Sequence, residues 1–213
     1  LDFVGGRDDL RAGLIRTIRT QGVKVVVAEP YADRKAVELV ARDGGARVLV
    51  PSGVISGADV LVAGGRVAAV GAGLKAPKGA ETVAAGGALL APGLVDLQIN
   101  GAYGANFTEA SPAEVVRAAE RLAAEGVTSF LPTLISLPLP KLEAALGRLA
   151  EVALSGRGAR IAGVHVEGPF LSPIRRGAHR SANLRRPSVR EFERLWRASK
   201  GLMRVLTLAP ELP

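Results

Sequence analysis

Between Leu94 and Leu208, apolar runs of strand length alternate with amphipathic stretches of helix length, and this alternation restricts the fold more than any other feature of the chain. Residues 94–99, 127–131, 160–166 and 203–208 read as strands, and residues 112–125, 139–154 and 189–199 as helices. With short connections, each helix has to return the chain to the start of the next strand, so the strands run the same way. The expected fold class is α/β: a parallel sheet covered by helices, with a (β/α) TIM-type barrel as its leading closed form. Four strands are half of such a barrel, so the barrel is expected to be incomplete.

The texture upstream is different. From Pro51 to Leu90 short alternating segments are separated by glycine turns, among them a hairpin of Ala58 to Val62 and Arg66 to Val70 around Gly64-Gly65. This small β layer, residues 46–91, cannot close a core alone and is expected to pack against the barrel segment that follows, residues 92–213. Residues 1–45 read as a short β-α-β segment, with a helix around Leu14–Ile18, a strand from Val23 to Ala28 and a second helix from Asp33 to Arg42.

Composition narrows the chemistry. The 213 residues include no cysteine, which excludes disulfides, thiolate metal clusters and a cysteine nucleophile and suits a cytoplasmic location; any metal has to sit on His, Asp or Glu. No apolar run reaches the length of a membrane span, so no membrane association is expected. The net charge of +8 is local: from Arg175 to Arg197 eight arginines face only Glu191 and Glu193. A nucleic-acid interface would add stacking aromatics or a reading motif. This stretch has Phe192 and Trp196 at helical spacing, so it reads as a solvated helix with Phe192, Leu195, Trp196 and Ser199 near the opposite face.

In a barrel of this type reactive groups gather at the C-terminal ends of strands. The first strand end carries Asp96, Gln98 and Asn100 on one face; the second offers the Thr133 hydroxyl; the third carries His165 and Glu167. An ionised carboxylate ending a strand in apolar surroundings needs a compensating cation, which for Glu167 is either a metal or an arginine. His165, one layer deeper, reads as a satisfied core histidine, and His179, in the polar loop after Gly177-Ala178, as a candidate for touching substrate.

The runs APGLVDLQINGAYGANFTEASP, GVTSFLPTLIS, IAGVHVEGPFLSPIRRGAH and VLTLAPE, in this order, resemble the N-acetylglucosamine-6-phosphate deacetylases of the amidohydrolase superfamily over about residues 46–213, and the β segments from Val48 to Leu90 resemble the first part of that family's small β-sandwich domain, which implies a β-sandwich portion at residues 46–91. The resemblance implies hydrolysis of the acetamide of N-acetylglucosamine 6-phosphate to glucosamine 6-phosphate and acetate, by an enzyme dependent on one divalent metal ion, zinc or iron. Glu167 matches the family's carboxylate metal ligand, and Ala178 and His179 match positions that contact the amino-sugar phosphate substrate. Gln98 and Asn100 stand where the wider superfamily usually has the two histidines of an HxH motif; amides are poor zinc ligands, which points to a single metal. The resemblance places the remaining metal ligands and the catalytic Asp beyond Pro213. The chain is therefore expected to be the N-terminal part of such an enzyme, inactive alone and a homodimer when complete.

A different resemblance covers about residues 1–45, where the stretch GVKVVVAEPYADRKAVELVARDGGARVLV is similar to the end of the C-terminal lobe of metal-transport solute-binding proteins. It implies an alternative, non-enzymatic function in metal uptake.

Overall fold

A computed structural model describes residues 39–42, 47–50, 53–64, 66–85 and 88–212. These fall into two compact units divided between Gly93 and Leu94. The first helix and strand expected within residues 1–45 lie outside the described residues.

The first unit is built from β1 (Leu39–Arg42), β2 (Arg47–Val50), β3 (Gly53–Ser56), β4 (Asp59–Ala63), β5 (Arg66–Gly71), β6 (Glu81–Ala84) and β7 (Leu89–Leu90). β4 alternates half-buried and buried residues, so Val60 and Val62 face inward with Ala58, and Leu90 packs on them. The expected β4–β5 hairpin forms, pairing Ala63 with Arg66, and Gly64 turns the chain at φ +57°. β1 corrects the sequence reading, because residues 39–42 are a strand and not the end of a helix. It pairs antiparallel with β4 and parallel with β6. A run as short as Leu39-Val40-Ala41 fits either period, and pairing with β4 and β6 decides it. The other sheet orders β3-β2-β7.

The second unit follows the strand–helix rhythm. Its strands are β8 (Leu94–Ile99), β11 (Val127–Leu134), β12 (Arg160–Ile161), β13 (Val164–Glu167) and β14 (Met203–Thr207). A small hairpin, β9 (Gly101–Ala102) with β10 (Ala105–Asn106), follows β8. β8, β13 and β14 run parallel to their neighbours, in the order β8, β11, β13, β14. β12 and β13 occupy the same side of β11 in succession and act as one interrupted strand. Pro132 lies between these two pairings and has no N–H to give to the ladder on that edge, where the Phe130 carbonyl accepts the Ala162 N–H.

The helices are α1 (Pro112–Ala124), α2 (Leu139–Ala153) and α3 (Val189–Ala198). α1 starts where Ser111 accepts the Glu114 N–H while the Glu114 carboxylate accepts the Ser111 N–H at 2.7 Å, a capping box with Pro112 just inside. Val115, Ala118, Ala119 and Leu122 form its buried face. On α2 the same spacing buries Leu142, Ala145, Leu146 and Leu149. These faces close over β11, whose Phe130 and Leu134 are fully buried, with the Phe107 ring centroid 5.6 Å from that of Phe130. On α3 Leu195 and Ser199 are buried and Phe192 packs against the core, as the sequence reading has them, whereas Trp196 beside Phe192 stays 44% exposed. No helix among the described residues is long and apolar enough to cross a membrane.

Candidate functional site

The ladder registers of the second unit align the C-terminal ends of its strands. Ile99 lies opposite Pro132, Thr133 opposite His165, and Glu167 opposite Thr207. Glu167 therefore ends β13 in a row of strand ends, its side chain about one quarter exposed at 26%. Beyond it the chain turns through Gly168, where φ is +84° and a Cβ would stand 2.2 Å from Ser136 Oγ. Only a residue without a side chain fits there, because the loop after β11 presses Ser136 against the turn.

His179 reaches the same place from the polar loop. Its Nε2 lies 3.8 Å from Glu167 Oε2. The other ring nitrogen, Nδ1, is 2.8 Å from Ser136 Oγ and accepts the Ser136 backbone N–H at 3.3 Å. Ser136 also lies with its Oγ 3.3 Å from the Glu167 carbonyl oxygen, and its own carbonyl accepts from Asn183 Nδ2 at 2.9 Å. Arg176 closes the His179 turn, donating from Nη1 to the His179 carbonyl at 2.7 Å. Both Ser136 and His179 are buried. A carboxylate, an imidazole and a buried hydroxyl thus meet at the strand end, and the hydrogen bonds around Ser136 restrict the ring.

Each residue singled out from sequence has a definite place. Glu167 and His179 come together. Ala178 is exposed beside His179. Gln98 and Asn100 are exposed at the end of β8, two strands away, and Asn100 Nδ2 donates to the Thr133 carbonyl at 3.3 Å. Thr133 does not offer its hydroxyl to a ligand: Oγ1 donates to the Leu131 carbonyl and accepts the Ile99 N–H, and the side chain is fully buried. His165 is only half satisfied. Its Nε2 is 2.7 Å from Thr207 Oγ1, whereas the buried Nδ1 meets no partner among the described residues. Burial holds the His165 pKa below its ordinary value, with Glu167 opposing that shift. Nothing in the sequence alone marks Ser136, Asn183 and Arg176 as site residues. Ser136 ends the run GVTSFLPTLIS, but only the fold shows what its hydroxyl touches.

Among the described residues no group of three or more His, Asp and Glu side chains is placed to hold a metal ion. Glu167 and His179 supply at most two donors, and a catalytic zinc takes three protein ligands, so these residues do not by themselves fit a complete metal centre. The arginine-rich stretch is partly neutralised where it folds. Arg185 Nε donates to Glu191 Oε2 at 2.6 Å, and Arg194 Nε to Glu143 Oε1 at 2.8 Å. The Arg185 hydrogen bond holds the Glu191 carboxyl below its ordinary pKa, and the same bond raises that of Arg185.

No family model matches the chain. N-acetylglucosamine-6-phosphate deacetylase of Bos taurus is 42% identical over 132 residues, covering 60% of this chain and 32% of that enzyme. N-acetyl-D-glucosamine-6-phosphate deacetylase of Mycobacterium smegmatis, solved in complex with N-acetyl-D-glucosamine-6-phosphate, matches with a TM-score of 0.66 at 31% identity over 83% of this chain and 44% of that one. The Pasteurella multocida N-acetylglucosamine-6-phosphate deacetylase structure matches with a TM-score of 0.71 at 28% identity, over 82% of this chain and 46% of that one. The chain thus spans about one third of the length of the curated relative and under half of each solved structure. Nothing in these comparisons supports the solute-binding alternative. In sequence and in fold, the chain is similar to N-acetylglucosamine-6-phosphate deacetylases over the part of them that it spans.

Proposed function

We propose that this chain forms part of an enzyme that hydrolyses N-acetylglucosamine 6-phosphate to glucosamine 6-phosphate and acetate. In that reaction water oxygen bonds to the acetyl carbon, the C–N bond breaks, and a proton from the water reaches the departing amine. The observation that carries the reading is the meeting of Glu167 and His179 at the end of β13, on residues that resemble the deacetylases. His179 Nε2 faces the acetyl carbonyl oxygen, where a fixed hydrogen bond stabilises the charge that develops there. Ala178, exposed beside it, borders the sugar. Within a longer enzyme Glu167 would contribute one carboxylate to a single divalent cation, zinc or iron, whose other ligands the described residues do not supply, and the bound ion would polarise the acetyl carbonyl as a Lewis acid. Gln98 and Asn100, exposed at the end of β8, carry amides, which are poor zinc ligands, and this favours a single metal over a two-metal centre.

The second unit fits a partial (β/α) barrel. Among the described residues its sheet ends at β8 and β14, and Val95, Leu97 and Val205 on those strands are exposed, as apolar side chains that a closed barrel covers. The test is a titration of N-acetylglucosamine 6-phosphate into the isotope-labelled chain. Signals of Ala178 and His179 are expected to shift, and to shift less with glucosamine 6-phosphate, which lacks the acetyl group. An unperturbed His179 together with a response confined to other parts of the chain would contradict the assignment.

A further inference from the structure

We propose that Ser136 is a positioning residue that holds His179 as the Nε2–H tautomer, so that the ring presents an N–H and not a lone pair toward the Glu167 side of the site. The argument is a count of donors. The Ser136 backbone N–H can only donate, and its contact is His179 Nδ1 at 3.3 Å. Nδ1 is therefore an acceptor. The Ser136 hydroxyl, 2.8 Å from the same nitrogen, has two choices: to donate to Nδ1, or to donate to the Glu167 carbonyl at 3.3 Å and turn a lone pair toward Nδ1. The second places two lone pairs face to face at the shorter distance, so the hydroxyl donates to Nδ1.

Two donors on Nδ1 exclude a proton there in the neutral ring, and the single ring proton goes to Nε2. Nε2 in turn faces Glu167 Oε2 at 3.8 Å, an acceptor that favours the same tautomer. Ser136 is itself fixed from the other side by Asn183 Nδ2 on its carbonyl, and it is 2% exposed, so water does not compete for its hydroxyl. Gly168 leaves the space that the Oγ occupies.

This assignment deepens the proposed hydrolysis and rests on it for its purpose: an Nε2–H donates to an acetamide carbonyl oxygen, whereas an Nδ1–H ring would set a lone pair against it. Its test needs neither substrate nor metal. Histidine-labelled 213-residue chain is examined by long-range 1H–15N correlation at mildly alkaline pH, where imidazoles are neutral. The chain has only two histidines, and His165→Gln assigns the signals of His179.

The expected pattern has Nε2 protonated and Nδ1 bare. Ser136→Thr, which keeps the hydroxyl, retains it, while Ser136→Ala moves the two nitrogen shifts toward each other as the tautomers mix. A protonated Nδ1 in the parent chain overturns the proposal, and that measurement stands even where a variant does not fold. A Ser136→Ala spectrum identical to the parent overturns it as well. Failure of the hydrolytic reading would leave the tautomer unchanged and would show instead as no acetate release, so the two failures are separable.

Discussion

Gly168→Ala offers the sharpest physical test of how the site is held. At φ +84° an L-residue is strained, at a cost of about 1–2 kcal/mol. The added methyl would also lie 2.2 Å from Ser136 Oγ and 3.2 Å from Leu171 Cδ1 and Cγ. Ser136 therefore has to move, which breaks its contact with His179 and leaves buried polar atoms unmatched, at a further cost of about 1–3 kcal/mol. The expected total is about 2–5 kcal/mol. Gly177→Ala separates the two contributions. It sits at φ +56°, and a methyl added there meets nothing within 4 Å, so only the strain applies, about 1–2 kcal/mol. Urea unfolding of the full chain, followed by Trp196 fluorescence, reads both variants. Equal losses in the two would refute the steric account, and so would a Gly168→Ala chain whose His179 nitrogen shifts match those of the parent.

Other outcomes follow from the same geometry. Phe130→Ala empties a fully buried position against Phe107 and is expected to cost about 3–5 kcal/mol in urea unfolding. The His165 pKa is lowered in the folded chain, chiefly by burial, so the unfolded chain binds protons more readily; the stability this group contributes is present above its ordinary value of 6.5 and is lost as pH falls below it. Comparing urea midpoints at about pH 7.5 and about pH 5.5, the parent chain is expected to lose stability, and His165→Gln to lose less. For Arg194 with Glu143, both partly exposed, a double-mutant cycle is expected to give a coupling of about 1 kcal/mol or less that shrinks with added salt.

The strand–helix order of the second unit was legible because each element has one buried face and a length that fits a single period, as Val115, Ala118, Ala119 and Leu122 show on α1. Residues 39–42 are not legible as a strand because four apolar-rich residues have no period of their own; their strand state comes from partners about 20 and about 40 residues away. The same distance hides the site's supports. Glu167 and His179 stood out by chemical type, but Ser136 is an ordinary loop serine until the fold brings it to His179, 43 residues later. The Thr133 hydroxyl was read as available because sequence cannot show that the Ile99 N–H and the Leu131 carbonyl already use it. The unmatched Nδ1 of His165 was equally invisible, since it depends on which atoms surround a buried ring.

Acetate release from N-acetylglucosamine 6-phosphate by the protein that carries these residues, measured beside its Glu167→Gln variant, tests the central claim most directly. The account predicts a fall of at least about 100-fold in kcat for a lost charge at the reacting centre, with the fold intact. A Glu167→Gln protein that releases acetate at the parent rate would contradict it.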